Sequence, residues 1–322
     1  GLDLVSGGPP CQSFSMAGLR KIDCDKNTLP WEFAKFVQHT KPKIAMLENV
    51  TGILRAFKDE EGKSFHAWYE VAKVFASIGY VPVCLHINAK LAGIAQNRPR
   101  FIMIAVRFDH YNLIAKDFEK QSANTQLFAP SLEFYQLVQK SGSDLPFGHL
   151  EYFDATKSNH HKLFEESFLA TLVNGEKVTV RDALDDLKKN HPSEPSGFIK
   201  NLNKTFESLP QRDFLSNHEF RDNGVVVQRR FRLYQILQAI DERHITKAVF
   251  SILKGNATEL PDNVWSVCGK YEYLQVDGEL LAFDTKEDFI QYLRAHPTKK
   301  QTQKALVANA QAPAALSIPD DA

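Results

Sequence analysis

Short apolar runs recur through the first 107 residues, and helical patterns separate them. LDLVSG at 2–7 and RFIMIAV at 100–106 read as buried strands, and IAMLENV at 44–50 reads as another. YVPVCLHI at 80–87 alternates Val81, Val83, Leu85 and Ile87, as a strand does. Between them, WEFAKFVQHT reads as a helix ended by KPK. Ser64 is placed to cap a second helix whose apolar stripe is Trp68, Val71, Ala72, Phe75 and Ile78, with Gly79 as its stop. Strands separated by helices predict an α/β fold with a mostly parallel sheet covered on both faces. In such sheets, sites gather at the C-terminal ends of the strands.

The pattern changes after Phe108. Longer polar loops follow, with VTVRDALDDL at 178–187 and a helix using Leu233, Ile236, Leu237 and Ile240. VWSVCGKYEYLQVDGELLAF at 264–283 has strand composition, with a turn at Asp277–Gly278, and KEDFIQYLRAH reads as a helix. These features divide the chain into a first domain over residues 1–108 and a second region over 109–322. The chain starts inside an apparent strand and stops at SIPDDA, so both ends read as cuts.

Composition excludes little. The 39 Lys and Arg balance 39 Asp and Glu, so no net field advertises a nucleic-acid partner, although a basic face can be offset elsewhere. The 43% hydrophobic and 24% charged residues are those of a soluble globular protein. No apolar run is long enough to span a membrane, and no signal peptide is visible. Cys11, Cys24, Cys84 and Cys268 form no CxxC pair and no metal-ligand spacing, the pattern of a reduced, cytoplasmic setting without a metal. The adjacent His160 and His161 in NHHKLF read as a solvated surface rather than a metal site.

Three segments carry residues suited to chemistry. In SGGPPCQSFSMAG, Gly7 and Gly8 permit a sharp turn, and Pro9 and Pro10 stiffen the loop ahead of Cys11. That loop either presents a thiol or is a tight turn around a buried one. LENV ends a strand with Glu48, and a carboxyl partly removed from water can hold a proton near neutrality. A solvated strand-end acid is the plainer alternative. QNRPRF brings Arg98 and Arg100, whose forks suit phosphates and carbonyl oxygens, or a surface ion pair.

Taken in order, GGPPCQSFSMAG, LENV and QNRPR resemble the Pro-Cys-Gln loop, Glu-Asn-Val strand end and Gln-x-Arg-x-Arg segment of the cytosine-C5 DNA methyltransferases. The resemblance covers residues 1 to about 107, with VTVRDALDDL and LSNHEFRDNG as weaker echoes. It implies a partial Rossmann-like sheet of the S-adenosylmethionine-dependent kind, followed by a smaller mixed target-recognition domain. It assigns the attack on cytosine C6 to Cys11, the acid at N3 to Glu48, and polarisation of O2 to Arg98, with Arg100 in support. Asn49 would shape the Glu48 turn, the Pro9 carbonyl would accept from the N4 amine, and Gln12, Ser13 and Gln96 would lie on the DNA side of the site. Double-stranded DNA is the implied partner, with a cognate restriction endonuclease as a companion in a restriction–modification system. Arg229, Arg230 and Arg232, and Lys299, Lys300 and Lys304, are candidate DNA contacts, or solvated faces.

The 322 residues contain no Phe-x-Gly-x-Gly segment, the family's main hold on S-adenosylmethionine, leaving Pro10 as a marginal contact. The Arg-x-x-Thr…Glu…Arg-Leu-Gln and Gly-Asn-Ser motifs are missing too. RRFRLYQILQAI looks superficially like the former but lacks the Thr and Glu, so it reads as an unrelated amphipathic helix. The expectation is therefore a fragment of a prokaryotic or phage modification enzyme, poorly active by itself. Rival readings are a tRNA cytosine methyltransferase, a non-catalytic half of a split enzyme, and an unrelated thiol hydrolase using His86.

Overall fold

The computed structural model describes residues 1–9, 29–58, 64–118, 122–188, 191–208, 218–219, 222–298 and 305–314. Pro10, Cys11, Gln12, Ser13 and Cys24 lie outside the described residues, as do Lys299, Lys300 and Lys304. The chain forms two compact units, residues 1–183 with the segment from Gln311, and residues 184–310.

The first unit is built on a five-stranded sheet. Its strands are β1 (Leu4–Gly7), β2 (Ile44–Val50), β3 (Tyr80–Asn88), β4 (Pro99–Arg107) and β5 (Phe153–Asp154), in the order β1-β2-β4-β3-β5. β1 runs parallel to β2, and β3 parallel to β5. β4 runs antiparallel to both β2 and β3, which corrects the expectation of a mostly parallel sheet. The cause is the connection. A parallel pair needs a crossover of a dozen or more residues, whereas β3 returns into β4 through a short loop with no helix long enough to cross over. Where a helix is present, as α1 (Leu29–Thr40) is between β1 and β2, the pair is parallel.

α1 buries Pro30, Ala34 and Val37, and α2 (Ala67–Ser77) buries Trp68, Val71, Ala72 and Phe75, the expected stripe. The cap of α2 is His66 rather than Ser64, which pairs instead in a two-residue bridge, Phe57–Lys58 with Ser64–Phe65. Gly79 stops the helix with φ 95°, a conformation open to glycine at little cost. β3 is buried over Tyr80–Leu85, beyond what alternation alone implies, because β4 pairs along its whole length and helices pack against it. α3 (Phe108–Phe118) and α4 (Ser122–Ser141) continue the same unit: Phe128 and Phe134 join Phe75, Phe101 and Leu85 in one core. The compact unit thus runs past residue 108, through α5 (Ser158–Glu165) and into α6 (Val180–Leu184).

The second unit contains α7 (Gly197–Thr205), α8 (Val225–Ile240), α9 (Arg243–Leu253), α10 (Asp262–Cys268) and α11 (Lys286–Arg294). Its core joins Leu233 and Leu237 of α8 to Ile245 and Val249 of α9 and to Phe289 and Leu293 of α11. The stretch VWSVC is helical, not a strand, because α10 turns Val264 and Cys268, four residues apart, into that core. The predicted turn does form: Tyr273–Leu274 pairs antiparallel with Leu280–Leu281, and Gly278 has φ 92°.

Candidate active site

Three strand ends bring the candidate residues together. β1 ends at Gly7, where an added Cβ would lie 2.5 Å from Phe33 Cε2. At Gly8 a Cβ would sit 3.1 Å from Glu48 Oε2. The glycine pair therefore lets the chain pass between the α1 aromatic and the Glu48 carboxylate on its way to Pro9. Asn49, only 3% exposed, donates from Nδ2 to the Pro9 carbonyl at 3.2 Å and accepts from the Val50 amide at 2.9 Å. It ties the loop start to the end of β2. A carbonyl has two lone pairs, so Pro9 retains capacity for a second donor.

Glu48 and Arg100 meet diagonally across β2 and β4. Glu48 stands opposite Ile102, and Val50 opposite Arg100, so Glu48 and Arg100 share one face of the sheet. Arg100 Nε lies 2.6 Å from Glu48 Oε1, off the line of its N–H, so the contact is an ion pair rather than an aligned hydrogen bond. The Glu48 side chain is 40% exposed and the Arg100 side chain 19%, so the acid faces solvent with its cation behind it. Arg100 also donates from Nη1 to the Pro99 carbonyl at 2.9 Å.

Arg98 is held through its backbone. Its amide donates to Asn88 Oδ1 at 3.1 Å, and its carbonyl accepts from the Ala89 amide at 3.1 Å. Gln96 lies in a two-residue parallel bridge, Gln96–Asn97 with Ala312–Pro313. The structure brings together Pro9, Glu48, Asn49 and Arg100; Arg98 and Gln96 lie on the loop that leads into β4. Sequence reasoning missed Asn88, which is 6% exposed and also donates from Nδ2 to Asn97 Oδ1 at 2.7 Å. A buried amide at a strand's last residue was the available signal, but two of its three partners lie nine and ten residues on.

The other candidates are distributed elsewhere. In the second unit, Arg229 Nε donates to the Leu274 carbonyl at 2.9 Å, and its guanidinium stacks 4.7 Å over the Tyr292 ring. Arg232 Nε donates to the Glu272 carbonyl at 3.1 Å, and Arg230 Nε is buried with no hydrogen-bond partner among the described residues. Two of the three arginines thus hold the first strand of the 273–281 ribbon and the residue just before it. His86 sits inside the sheet, with Nδ1 3.0 Å from Asp154 Oδ1. His160 Nδ1 accepts from the Asp154 amide, and His161 Nδ1 contacts the Ala155 carbonyl. The buried Cys84 thiol is pushed up by desolvation, and burial raises Cys268 to about 11, so both are inert as nucleophiles. Among the described residues no cluster of three or more His, Cys, Asp or Glu could hold a metal, and no helix is long and apolar enough to cross a membrane.

The family model of the C-5 cytosine-specific DNA methylases matches residues 1–171. The chain belongs to this family. Type II methyltransferase M.HindV of Haemophilus influenzae is 29% identical over 140 residues, covering 41% of this methylase chain and 43% of that protein. Type II methyltransferase M.AquIA of Picosynechococcus is 34% identical over 160 residues, covering 45% of this chain and 61% of that one. A solved DNA modification methyltransferase encoded within an E. coli prophage is 27% identical, with a TM-score of 0.26 over 33% of this chain and 27% of that one. The methylase chain spans less than two thirds of each of these relatives. The matched region contains β1 to β5 and every catalytic candidate.

Proposed function

We propose that the enzyme to which this chain contributes methylates C5 of cytosine in duplex DNA, and that the chain supplies the groups acting on the base. The observation that carries this reading is the Glu48–Arg100 contact at 2.6 Å, with Gly8 against the same carboxylate. It unites the three sequence segments at one corner of the sheet.

Carbon 5 of cytosine is a poor nucleophile. A Cys11 thiolate bonding to C6 would push ring electrons toward N3 and leave an enamine that is nucleophilic at C5. Glu48 would give its proton to N3 and take the N4 amine as a hydrogen-bond donor; a positioned acid of this kind is worth roughly 10²–10⁴ in rate. Arg98 would polarise O2 and Arg100 would hold Glu48 in place. Once C5 carries the methyl group, its proton leaves to solvent, the C6–S bond breaks to release the Cys11 thiolate, and N3 returns its proton to Glu48, which restores the aromatic ring. The target cytosine has to leave the duplex to reach this corner, at a cost of a few kcal/mol.

S-adenosylmethionine, the methyl donor that family membership implies, supplies an electrophilic methyl group when bound. No Phe-x-Gly-x-Gly segment, the family's main hold on it, occurs in the 322 residues. The chain alone is therefore expected to bind this cofactor poorly and turn over little or not at all. Target choice would reside in residues 109–322, and the setting would be a restriction–modification or phage modification system in a prokaryotic cytoplasm.

The test is a duplex carrying 5-fluorocytosine, from which no C5 proton can leave. The complete enzyme should form a covalent adduct mapped to Cys11, and Cys11→Ala should form none. An equal adduct yield from Cys11→Ala sinks the assignment. Methylation by the isolated 322 residues at a rate matching the complete enzyme would overturn the expectation for the chain alone.

A further inference from the structure

The loop joining β3 to β4 carries Gln96 and Arg98, yet it has little regular structure to fix its shape. After a single 3₁₀ turn over Ala89–Ala92, the chain passes Gly93 at φ 79° and runs on to Arg98. Asn88 closes it at the base through Lys90, Asn97 and Arg98. Among the described residues, two remote segments reach it through their backbones.

The first is the segment around Gly175. The Gly175 amide donates to the Leu91 carbonyl at 2.9 Å. A Cβ on Gly175 would lie 2.6 Å from Gly93 Cα and closer still to the Gly93 nitrogen and the Ala92 carbonyl carbon. The two backbones are in direct contact, and no side chain fits between them. The second is the segment at 312–313. The Ala312 amide donates to the Ala95 carbonyl at 2.9 Å, and Ala312–Pro313 runs parallel to Gln96–Asn97. Gly175 lies shortly before the chain leaves the first unit, and Ala312 directly after it returns.

We propose that Gly175 and Ala312 are positioning residues for Arg98, and that the two segments together form a brace that sets the height of the arginine loop against β4. The functional weight of the loop rests on the reading of the site given above, but the brace itself does not. The chain segments flanking the second unit thereby shape the loop from which the base would be polarised. At Gly175 and Ala312 the contacts are made by backbone, so residue types there matter through what they lack: a Cβ at 175, and a ring replacing the amide hydrogen at 312.

Hydrogen exchange on the 322-residue chain tests the brace directly. In Gly175→Ala and in Ala312→Pro, amides of 89–98 should exchange about tenfold faster or more, while those of β2 and α2 stay at wild-type rates. Unchanged exchange at 89–98 in both variants would overturn the proposal. So would an equal acceleration throughout the sheet, which is the signature of general destabilisation. Ala312→Pro removes one hydrogen bond from a partly exposed segment, so it keeps the test decisive should Gly175→Ala fail to fold.

Turnover of the complete enzyme supplies a second arm. Arg98→Ala should lower kcat by about 10²–10³-fold. Gly175→Ala should lower kcat at least tenfold, with KM for DNA within about twofold of wild type, and adding it to Arg98→Ala should cost nothing further, as residues acting as a unit do. An additive loss, or full kcat in both brace variants, overturns the brace and leaves the site reading intact. A wild-type enzyme without cytosine methylation overturns the site reading and leaves the exchange result to decide the brace.

Discussion

Replacing Asn88 isolates how the β3–β4 loop is anchored. Its side chain accepts from two main-chain amides, Lys90 at 3.2 Å and Arg98 at 3.1 Å, and donates to Asn97 Oδ1 at 2.7 Å. Asn97 is exposed, so water replaces that bond cheaply in Asn88→Ala. The two amides sit against a side chain only 6% exposed, and water reaches them incompletely. At ~0.5–1.5 kcal/mol per net bond, with the truncation adding a fraction more, the loss is about 2 kcal/mol. For a unit of this size that lowers Tm by ~4–8 °C. Asn88→Asp keeps the Oδ1 that accepts from both amides and replaces the donor facing Asn97 with an acceptor, to which the exposed Asn97 amide can turn its own N–H, so it should cost less than Asn88→Ala. The assay is urea unfolding read by tryptophan fluorescence in a Trp265→Phe background, which confines the signal to Trp31 and the buried Trp68 of the first unit. An Asn88→Ala variant within about 0.5 kcal/mol of wild type would refute the anchoring argument. An Asp variant as damaged as the Ala variant would refute the ranking.

Other perturbations follow from the same geometry. Gly7→Ala should destabilise the first unit by ~1–3 kcal/mol, since the new Cβ displaces the Phe33 ring, and Phe33→Leu should relieve part of that loss in urea melts. His296 has no exposed surface; burial and the neighbouring Arg229 and Arg230 charges hold its pKa below the ordinary 6.5, against a smaller opposing pull from the Tyr292 carbonyl. The fold prefers neutral His296, so the stability of the second unit should be full above pH 6.5 and fall as pH drops below it, with Trp265 fluorescence as the probe and His296→Gln flattening the profile. At Asp154, burial pushes the carboxyl up, but hydrogen bonds from Thr156 and His86 outweigh it and hold it below its ordinary 3.8. That stability is present above pH 3.8 and is lost as pH falls through the lower folded value, so Asp154→Asn should shallow the acid-unfolding curve of the first unit while lowering its stability at pH 7.

Much of the first unit was written in local pattern. Apolar runs of strand length and the i, i+3, i+4 stripe of α2 each depend on residues within a dozen positions, so β1 to β4, α1 and α2 were visible before any contact was known. The candidate residues were visible through their motif context: Glu48, Asn49, Arg98 and Arg100 stand in segments whose order and residue types resemble those of the family. Partnership was not visible. Alternation says which face of a strand is buried, but not the direction of the strand beside it, so only the structure shows β4 antiparallel to both neighbours. Composition likewise misled at VWSVC, because β-branched and aromatic residues sit in a helix when a core lies four residues apart along it.

The sequence by itself determined the α/β character, the strand-end position of the acid, and the residue types on which the proposed cytosine chemistry rests. Tertiary structure alone decided that Arg100 reaches Glu48 across two strands, that Asn49 ties off the Pro9 carbonyl, and that Arg229 and Arg232 hold a ribbon. It alone set Gly175 against Gly93, two glycines distant in the chain whose shared lack of a Cβ has meaning only where their backbones touch. The physical reason is one of range. Propensity and periodicity act over a turn or a strand, whereas a contact between remote segments depends on the sheet register that places them side by side.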